Sequence, residues 1–556
     1  MNARRPLLIL FIALFTSCNK PGPDLILTNG KIWTAEGESI FVEALAIKGK
    51  EIVQSGSSSD IQNLAGSNTR TIDLQGRLVI PGFNDAHIHF LGGSQELAEV
   101  DLTGAMSGQA IVKAAADFAS QNTGKNWITG RGWQYIWFAS GLPTNEDMAG
   151  MISDRPVFIK AYDGHSAWAN KKALELAGVN GKSKPQGFGE VVLDSKGNPT
   201  GALLEGAQSL VSVIIPKLAP EEKLNALRAG LKLAASLGIT SMQNASGSVE
   251  ELSLFQELQR NGELSVRYSA ALSVDEETDS KEIDAYRNAR KEMQASPSFI
   301  KADAIKFMLD GVIESHTAAM LQNYDDVKAK GDFALPLETY KKLVTELDKE
   351  GFRLYTHAIG DLAVREALNA YEAAQNANGP APRRNRIEHI ETISPEDIPR
   401  FAKLGVMASM EPIHADPGTM GVWGKAIGKE RMPYSFAWAS LLKAKALLVF
   451  SSDWPACIDV NPIRGIHVAV NRRTPEGIPE GGWIPNQRIS IAQALLAYTR
   501  AGAYASFEES SKGQIKPGMV ADVVILSNNL FTINPMEIAG TKVVMTIFDG
   551  KVIYEK

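Results

Sequence analysis

Cysteine is scarce in this chain: Cys18 and Cys457 are the two cysteines among 556 residues. If Cys18 is covalently modified, Cys457 has no partner, so no disulfide is expected. Histidine is also scarce, with eight residues. The chain lacks a lysine- or arginine-rich block, and its formal charge of −6 is mild, which argues against a nucleic-acid partner. After the first 17 residues it also lacks an apolar run long enough for a membrane helix.

The amino-terminal stretch reads as a secretory signal over residues 1–17. Arg4 and Arg5 precede an apolar run from Leu7 to Phe15, which is too short to span a bilayer. The stretch ends in Phe-Thr-Ser-Cys, which resembles a bacterial lipobox whose lipidated residue is Cys18. The alternative is an ordinary signal peptide with an unrelated cysteine. The expected location is the bacterial cell envelope, with a lipid-anchored protein that faces the periplasm or the exterior.

Both ends of the remaining chain are rich in strand patterns. DLILTNGKIWTAEG contains a strand, an Asn29–Gly30 turn and a second strand, which is the pattern of a hairpin. EALAIKGKEIVQSG and TKVVMTIFDGKVIYEK repeat the pattern with a glycine at the turn. Because chain termini often lie close together, residues 22–80 and 505–556 are expected to form one composite β-sandwich.

The middle of the chain, residues 81–504, alternates strand and helix patterns. Eight candidate strands are LVIPGFNDAHIHF, GITSMQNA, VRYSAALSV, AIKFMLDG, RLYTHAIGD, RIEHIET, GVMASM and ALLVFSSD. This pattern predicts an α/β fold with a (β/α)₈ TIM-like barrel. The connection after the first strand is far longer than usual. It predicts an inserted subdomain at about residues 100–230, beside the barrel mouth. The alternative is a structural addition that makes no contact with the substrate.

His87 and His89 stand one residue apart at the end of the first candidate strand. Residues i and i+2 of a strand project to one face, and barrel active sites lie at the carboxyl ends of the strands. Two converging imidazoles suit a divalent transition metal, although this pair alone is a weak signal. Further potential ligands end later strands: His357, His389 and Asp453. Their placement in successive strands favours a metal centre.

Lys306 lies in the apolar stretch AIKFMLDG, where a charged lysine is costly. Burial and nearby cations would lower its pKa. The free amine could then take up carbon dioxide and become a carbamate, an anionic metal ligand. The equal alternative is an ion pair between Lys306 and Asp310.

Several blocks resemble the amidohydrolase superfamily, in particular its YtcJ-like or "amidohydrolase 3" branch, which includes N-substituted formamide deformylases. They are PGFNDAHIHF, DGHSAWAN, IKFMLDG, THAIGD, RIEH, SSDWP and KGQIKPGMVADVVIL. The resemblance covers nearly all of the chain after the signal. It implies that six residues bind metal: His87, His89, Lys306, His357, His389 and Asp453.

The resemblance implies a metal-dependent hydrolase that cleaves an amide, or another C–N bond outside peptides, in a small molecule. A bound metal would activate a water, and Asp453 would act as general base and then general acid. Zinc is the expected metal, as one or two ions, with iron, manganese and cobalt as alternatives. Carbon dioxide is expected as the carbamate of Lys306, which would bridge two ions, whereas beside a single ion Lys306 could instead lie outside the direct ligands. The alternatives are an ester, lactone or cyclic amide hydrolase, an isomerase or lyase on the same scaffold, and a non-catalytic tethered binding lipoprotein. The expected partner is a small-molecule substrate, with a homodimer left open.

Four further residues are candidate substrate contacts. His165 lies in the DGHSAWAN block, and Trp133 lies in an aromatic part of the insert that could instead form its own small core. Asp310 and His414 follow candidate strands, where a pocket wall and a structural role are both open.

Overall fold

The computed structural model describes residues 22–102, 105–162, 164, 166–185, 189–295, 298–418, 420–457 and 459–556. The predicted signal segment, Cys18 and His165 lie outside the described residues. Among those that are described, no helix combines the length and the apolarity that a membrane crossing requires.

Seven short strands and one helix form the amino-terminal segment. They are β1 Leu25–Thr28, β2 Lys31–Trp33, β3 Phe41–Val42, β4 Ala44–Lys48, β5 Glu51–Gly56, α1 Ser58–Gln62, β6 Arg70–Asp73 and β7 Leu78–Pro81. Strands β4 and β5 form the predicted hairpin, with Gly49 at φ 57° in its turn. The hairpin predicted at Asn29–Gly30 is wrong: β1 joins β4 and β6, whereas β2 joins β3 and β7. Asn29, at φ 56°, turns the chain from one sheet into another.

The inserted subdomain follows the first barrel strand, β8 Phe83–Ile88, and helix α2 Phe90–Glu96. Its elements are β9 Val100–Asp101, α3 Gly108–Gln121, β10 Ile128–Trp133, β11 Val157–Ala161, β12 Ser166–Ala169, α4 Lys171–Ala177, β13 Gly189–Leu193, β14 Pro199–Glu205 and α5 Ser209–Ser212. The six strands form one sheet in the order β13-β14-β12-β11-β10-β9. Ile111 of α3 belongs to one apolar cluster and Leu174 of α4 to another, so the insert has cores of its own.

Seven more parallel strands and nine helices complete the barrel. They are α6 Pro220–Ser236, β15 Ile239–Gly247, α7 Val249–Arg260, β16 Arg267–Val274, α8 Ser280–Gln294, β17 Ile300–Met308, α9 Leu337–Lys349, β18 Arg353–Ala358, α10 Asp361–Asn378, β19 Arg386–His389, α11 Ile398–Leu404, β20 Met407–Met410, α12 Met420–Arg431 (kinked at Gly428), α13 Trp438–Lys443, β21 Leu448–Phe450 and α14 Pro462–Asn471. The eight strands follow the order β21-β20-β19-β18-β17-β16-β15-β8. The Asp453 N–H donates to the His87 carbonyl oxygen over 2.8 Å and nearly closes the ring. Eight barrel strands are present as predicted, but the first candidate, LVIPGFNDAHIHF, divides into β7, which belongs to another sheet, and the barrel strand β8.

The carboxyl-terminal segment contains α15 Ile491–Tyr498, α16 Arg500–Ala505, β22 Val523–Leu526, β23 Val543–Phe548 and β24 Lys551–Glu555. Short 3₁₀ helices lie at Tyr135–Trp137, Gly206–Gln208, Pro412–Ala415, Met432–Tyr434, Pro485–Gln487 and Pro535–Gly540. Strand β22 pairs with β7, so the sheet β24-β23-β22-β7-β2-β3 draws on both ends of the chain. It shares an apolar core with the sheet β5-β4-β1-β6 through residues such as Leu27, Ile47, Val79 and Ile525. The predicted fold class is therefore confirmed.

The barrel strands have an apolar outer face and a polar inner face. Outward side chains such as Ile305, Leu354 and Ile387 belong to the main core together with the surrounding helices. The inner face carries buried polar groups, including Arg386, whose Nη1 donates to Gln243 Oε1 over 2.9 Å. Buried charge is costly unless it is paired, so this filling indicates a site that uses charge.

Candidate metal centre

Five barrel strands bring the six predicted metal ligands to the carboxyl end of the barrel. The residues are His87 on β8, His89 just after it, Lys306 on β17, His357 on β18, His389 at the end of β19 and Asp453 after β21. Parallel strands of a barrel present their carboxyl ends at one mouth, which explains why residues far apart in sequence meet here.

Asp453 lies at the centre of this group. Its Oδ1 atom is 3.0 Å from His89 Nε2 and 3.5 Å from His87 Nε2. The Lys306 Nζ atom lies 3.3 Å from His87 Nε2. The ring of His389 is centred 4.7 Å from that of His87 and 4.5 Å from that of His357. The structure thus brings together all six residues that the sequence analysis placed at this site.

Two of these residues have left-handed backbone conformations. His389 has φ 73° and Asp453 has φ 55°, values that cost energy for a residue with a side chain. Arg386 and Glu388 face the barrel interior, so strict alternation would turn His389 outward. The positive φ turns its ring into the mouth instead, and strain of this kind is concentrated at functional sites.

Each of the four histidines has one ring nitrogen held by another group. The pairs are His87 Nδ1 with Glu388 Oε2 (2.5 Å), His89 Nδ1 with Ser246 Oγ (2.5 Å), His357 Nε2 with the Gly311 carbonyl oxygen (3.1 Å) and His389 Nδ1 with Glu411 Oε2 (2.8 Å). A nitrogen that donates to an oxygen leaves the lone pair on the other nitrogen. This is how proteins orient metal-binding imidazoles.

Burial and neighbouring charge set the protonation of the site. Burial, aided by nearby positive charge, lowers the pKa of His87 and His357 well below the usual value. Burial also acts to lower the pKa of His389, but the Glu411 carboxylate outweighs it and the pKa is raised. Burial would raise the pKa of Asp453, but His89 and two other histidines lower it. Asp453 is therefore ionised near neutral pH.

Lys306 is almost fully buried, at 3% exposure. Burial lowers the pKa of its amine, against the opposing effect of the Glu388 and Asp453 carboxylates. Among the described residues, Lys306 forms no ion pair with Asp310, the partner that the sequence left open. Its Nζ atom lies 3.3 Å from His87 Nε2 instead.

The donor set fits a divalent transition metal. Ligand atoms of His87, His389 and Asp453 all lie within 4.8 Å of one another. Asp453 Oδ1 is buried and, among the described residues, makes no hydrogen bond of normal geometry despite its closeness to two imidazole nitrogens. A buried oxygen that lacks a hydrogen bond is destabilising. A cation shared with the histidines would satisfy it, and imidazole with carboxylate suits zinc and related metals.

Asp310 does not have the substrate-contacting position that was predicted for it. Its carboxylate accepts the backbone N–H groups of Ala319, Ile359 and Gly360 at 2.9 to 3.0 Å. Because its oxygens are used in this way, Asp310 holds the loops after β17 and β18 together. Its Oδ1 atom also lies 3.5 Å from His357 Nε2.

Trp133 is likewise placed away from the substrate side of the site. Its side chain is fully buried in the insert, and its Nε1 donates to the Ile159 carbonyl oxygen over 2.9 Å. Tyr135 and Phe138 pack edge-on against it. The alternative reading, in which these aromatic residues form the core of the insert, is the one that the structure supports.

His414 lies beside Asp453, in the 3₁₀ helix that follows β20. Its Nε2 atom is 3.5 Å from Asp453 Oδ2, which places His414 at the barrel mouth. This position agrees with the predicted alternative in which His414 forms part of the pocket wall. Burial would lower the pKa of His414, but Glu391 and Asp453 raise it to about 10.

Glu388 and Ser246, which orient the ligands His87 and His89, were not found from sequence. Glu391 beside His414, and Trp423, whose indole N–H donates to Glu391, were not found either. One signal was available for Glu388: it stands two residues after Arg386 in β19, so both side chains face the barrel interior. The positions of Ser246 and Trp423 depend on contacts across the chain and leave no such local pattern.

Comparison with known proteins identifies the family. The model of the Amidohydrolase family matches residues 70–554. The chain is 31% identical over 541 residues to Protein LONG AFTER FAR-RED 3 of Arabidopsis thaliana, covering 96% of this chain and 91% of the relative. It is 29% identical over 536 residues to the amidohydrolase YtcJ of Bacillus subtilis, covering 93% and 96%.

The fold agrees with a solved structure as well. A metal-dependent hydrolase from Pyrococcus furiosus superposes with a TM-score of 0.73 at 25% identity, covering 92% of this chain and 99% of the other. The resemblance to the YtcJ-like branch is confirmed. The chain belongs to the amidohydrolase family of metal-dependent hydrolases.

Proposed function

We propose that the protein hydrolyses an amide, or another C–N bond outside peptides, in a small molecule. The observation that carries this proposal is the convergence of four histidines and Lys306 on the buried, ionised Asp453. A purely binding protein needs no ionised carboxylate at such a centre, whereas hydrolysis needs a group that accepts and returns a proton.

A bound divalent cation supplies a Lewis acid that polarises a scissile carbonyl and makes water more acidic. The histidines would hold this cation, and Glu388 and Glu411 keep two of their rings in the required orientation. The Asp453 carboxylate accepts the proton of the attacking water and returns it to the leaving nitrogen. Its lowered pKa keeps it in the accepting form before the reaction.

We further propose zinc as the cation, in one or two sites, and a carbamate on Lys306 as an anionic ligand. The buried amine next to His87 supports this assignment. Loading the protein with ¹³C-bicarbonate should give a carbamate signal in ¹³C NMR that is missing from the Lys306→Ala variant. Equal signals from both proteins would remove the assignment.

The proposal is tested with metal-reconstituted protein and a panel of N-formyl, N-acyl and cyclic amides, with esters and lactones as comparison substrates. Turnover of at least one amide, lost on chelation and restored by metal, is expected. Incorporation of ¹⁸O from labelled water separates hydrolysis from isomerisation or elimination. Turnover of esters or lactones alone would replace the C–N assignment with the alternative substrate class.

Changing Asp453 to Asn tests the mechanism directly. We expect the variant to keep its metal, because the four histidines remain, and to lose roughly 10²- to 10⁴-fold in kcat, the usual contribution of a general base. Metal content by mass spectrometry and kcat are measured together. Asp348→Asn is the matched control, since Asp348 is a buried carboxylate that binds Arg383 instead. Normal turnover by Asp453→Asn would show that another group moves the proton.

A further inference from the structure

His414 stands between two carboxylates. Its Nδ1 atom lies 3.4 Å from Glu391 Oε1 and its Nε2 atom 3.5 Å from Asp453 Oδ2. Its ring is parallel to that of His389, with centres 5.8 Å apart and planes inclined by 3°. The His414 side chain is 16% exposed and that of Asp453 is 7% exposed.

Glu391 is itself held in place from the other side. Its Oε2 atom accepts the Trp423 indole N–H over 2.7 Å. Trp423 is fully buried and packs against Phe436 and Trp483, with ring centres 5.4 and 5.6 Å away. The backbone oxygen of Glu391 also accepts the N–H of Phe436 over 2.9 Å. A rigid aromatic cluster thus fixes the carboxylate that faces His414.

The two oxygens of Asp453 have different neighbours. Oδ1 faces His87 and His89, whereas Oδ2 faces His414, with His389 Nδ1 farther away at 3.9 Å. Rotation about the last bond of an aspartate is soft. A carboxylate whose Oδ2 had no neighbour could therefore turn, and the His414 ring, with Nε2 3.5 Å from Oδ2, opposes that rotation.

We propose that the Glu391–His414 pair, anchored by Trp423, positions the Asp453 carboxylate for proton transfer. This role rests on the proposed function. His414 and Glu391 are positioning residues, since they act through Asp453. The distances place Oδ1 beside His89, which would hold the cation, and Oδ2 beside His414.

The kinetic test uses His414→Ala with the best amide of the panel. Misplacing a reacting group by about 1 Å can cost on the order of 100-fold in rate. We expect about a 100-fold loss in kcat, a KM within about twofold and unchanged metal content. Because the substitution leaves space for a free ring, added imidazole should restore part of kcat. Glu391→Gln should show a smaller loss, since its amide still accepts one hydrogen bond.

His467→Gln is the comparison for a purely structural histidine. His467 is fully buried on α14, and its ring nitrogens contact the Thr474 carbonyl oxygen and Asn471. This variant should lower Tm and leave kcat within about twofold. If His414→Ala behaves in the same way, or if imidazole restores nothing, His414 has only a structural role and the proposal falls.

A second readout does not depend on turnover. Crystal structures of the metal-loaded wild-type protein, His414→Ala and Glu391→Gln should be compared. In both variants the Asp453 carboxylate should be rotated relative to the wild-type protein, while the histidines that hold the metal stay in place. An unmoved carboxylate in both variants would overturn the proposal. If wild-type protein hydrolyses nothing on the panel, the proposed function fails, while these structures still decide the role of His414.

Discussion

Glu388 accepts hydrogen bonds from two buried groups at once. Its Oε2 binds His87 Nδ1 at 2.5 Å and its Oε1 binds Arg386 Nε at 2.6 Å. A carboxylate can accept at both ends, whereas an amide accepts only at its oxygen. Glu388→Gln must therefore place its NH₂ group against one donor. We expect metal affinity to fall by roughly 10- to 100-fold, as is typical when such a partner is lost.

This affinity is measured by competition with a chelator, which needs no substrate. Glu338→Gln on the surface of α9 serves as the control, because its side chain is 90% exposed and its neighbour is Lys341. Unchanged affinity in Glu388→Gln would mean that the orientation of His87 does not depend on this carboxylate.

At the residue scale, the sequence predicts where ligands lie better than how they are held. His87 and His89 could be recognised because the spacing of residues on a strand is regular, and His357 and Asp453 because they end apolar runs. Glu388 was missed because it directly precedes the ligand His389, and adjacent residues of a strand normally face opposite sides. Both face the site here because His389 has φ 73°, a backbone conformation that the sequence does not reveal. For Trp133 the sequence left a pocket wall and the core of the insert both open, because an aromatic residue suits either, and the structure places it in the core.

At the scale of elements, helix α7 packs on strand β16 through a buried carboxyl group. Glu251 accepts the Tyr268 hydroxyl over 2.8 Å, and Phe255 stacks on the same ring at 3.6 Å. Burial raises the pKa of Glu251 to about 7, from 4.5. A carboxyl group whose pKa is raised on folding stabilises the fold below pH 4.5, and this contribution is lost as the pH rises through 7.

We therefore expect Glu251→Gln to remove part of the pH dependence of stability. The loss between pH 4.5 and 7 corresponds to about 3 kcal/mol, or roughly 3 °C in Tm for a chain of this length. Thermal scans across this pH range should show that the Tm of the variant rises relative to the Tm of the wild-type protein as the pH increases. Glu250→Gln is the neighbouring control, because Glu250 is 75% exposed and paired with Lys223. If Tm depends on pH in the same way in Glu251→Gln and in the wild-type protein, a group other than Glu251 causes that dependence.

The elements themselves were largely predictable, since a parallel barrel strand buried on both sides reads as an apolar run. The pairing of the strands was less predictable than the strands themselves. The Asn29–Gly30 turn has the local chemistry of a hairpin, but the strands on either side of it are buried in two different sheets. Tertiary burial overrides the local preference there. The six strands of the insert were not predicted individually, since a single long connection gives no periodic guide to them.

At the scale of the molecule, an arginine of the insert contacts the chain that follows Asp453. Arg131 on β10 donates to the Tyr162 carbonyl oxygen of the insert and, over 3.3 Å, to the Pro455 carbonyl oxygen, two residues after Asp453. This contact belongs to the inserted region, which the barrel does not determine. Substrate choice therefore has to be found by experiment, since fold does not fix it.

A lipid on Cys18 would fix where the protein is located. Cys18 precedes β1, which begins at Leu25, by seven residues, so a lipid on this cysteine would hold the first strand within roughly 25 Å of the membrane at full extension. We propose that the protein is anchored in this way. Cys18→Ser should then move the protein from the membrane fraction to the soluble fraction and leave its Tm and metal content unchanged, because the sheets and the centre lie after the linker. Cys457→Ser, the other cysteine, should leave fractionation unchanged. If Cys18→Ser stays with the membrane, the protein is held there by something other than a lipid on this residue.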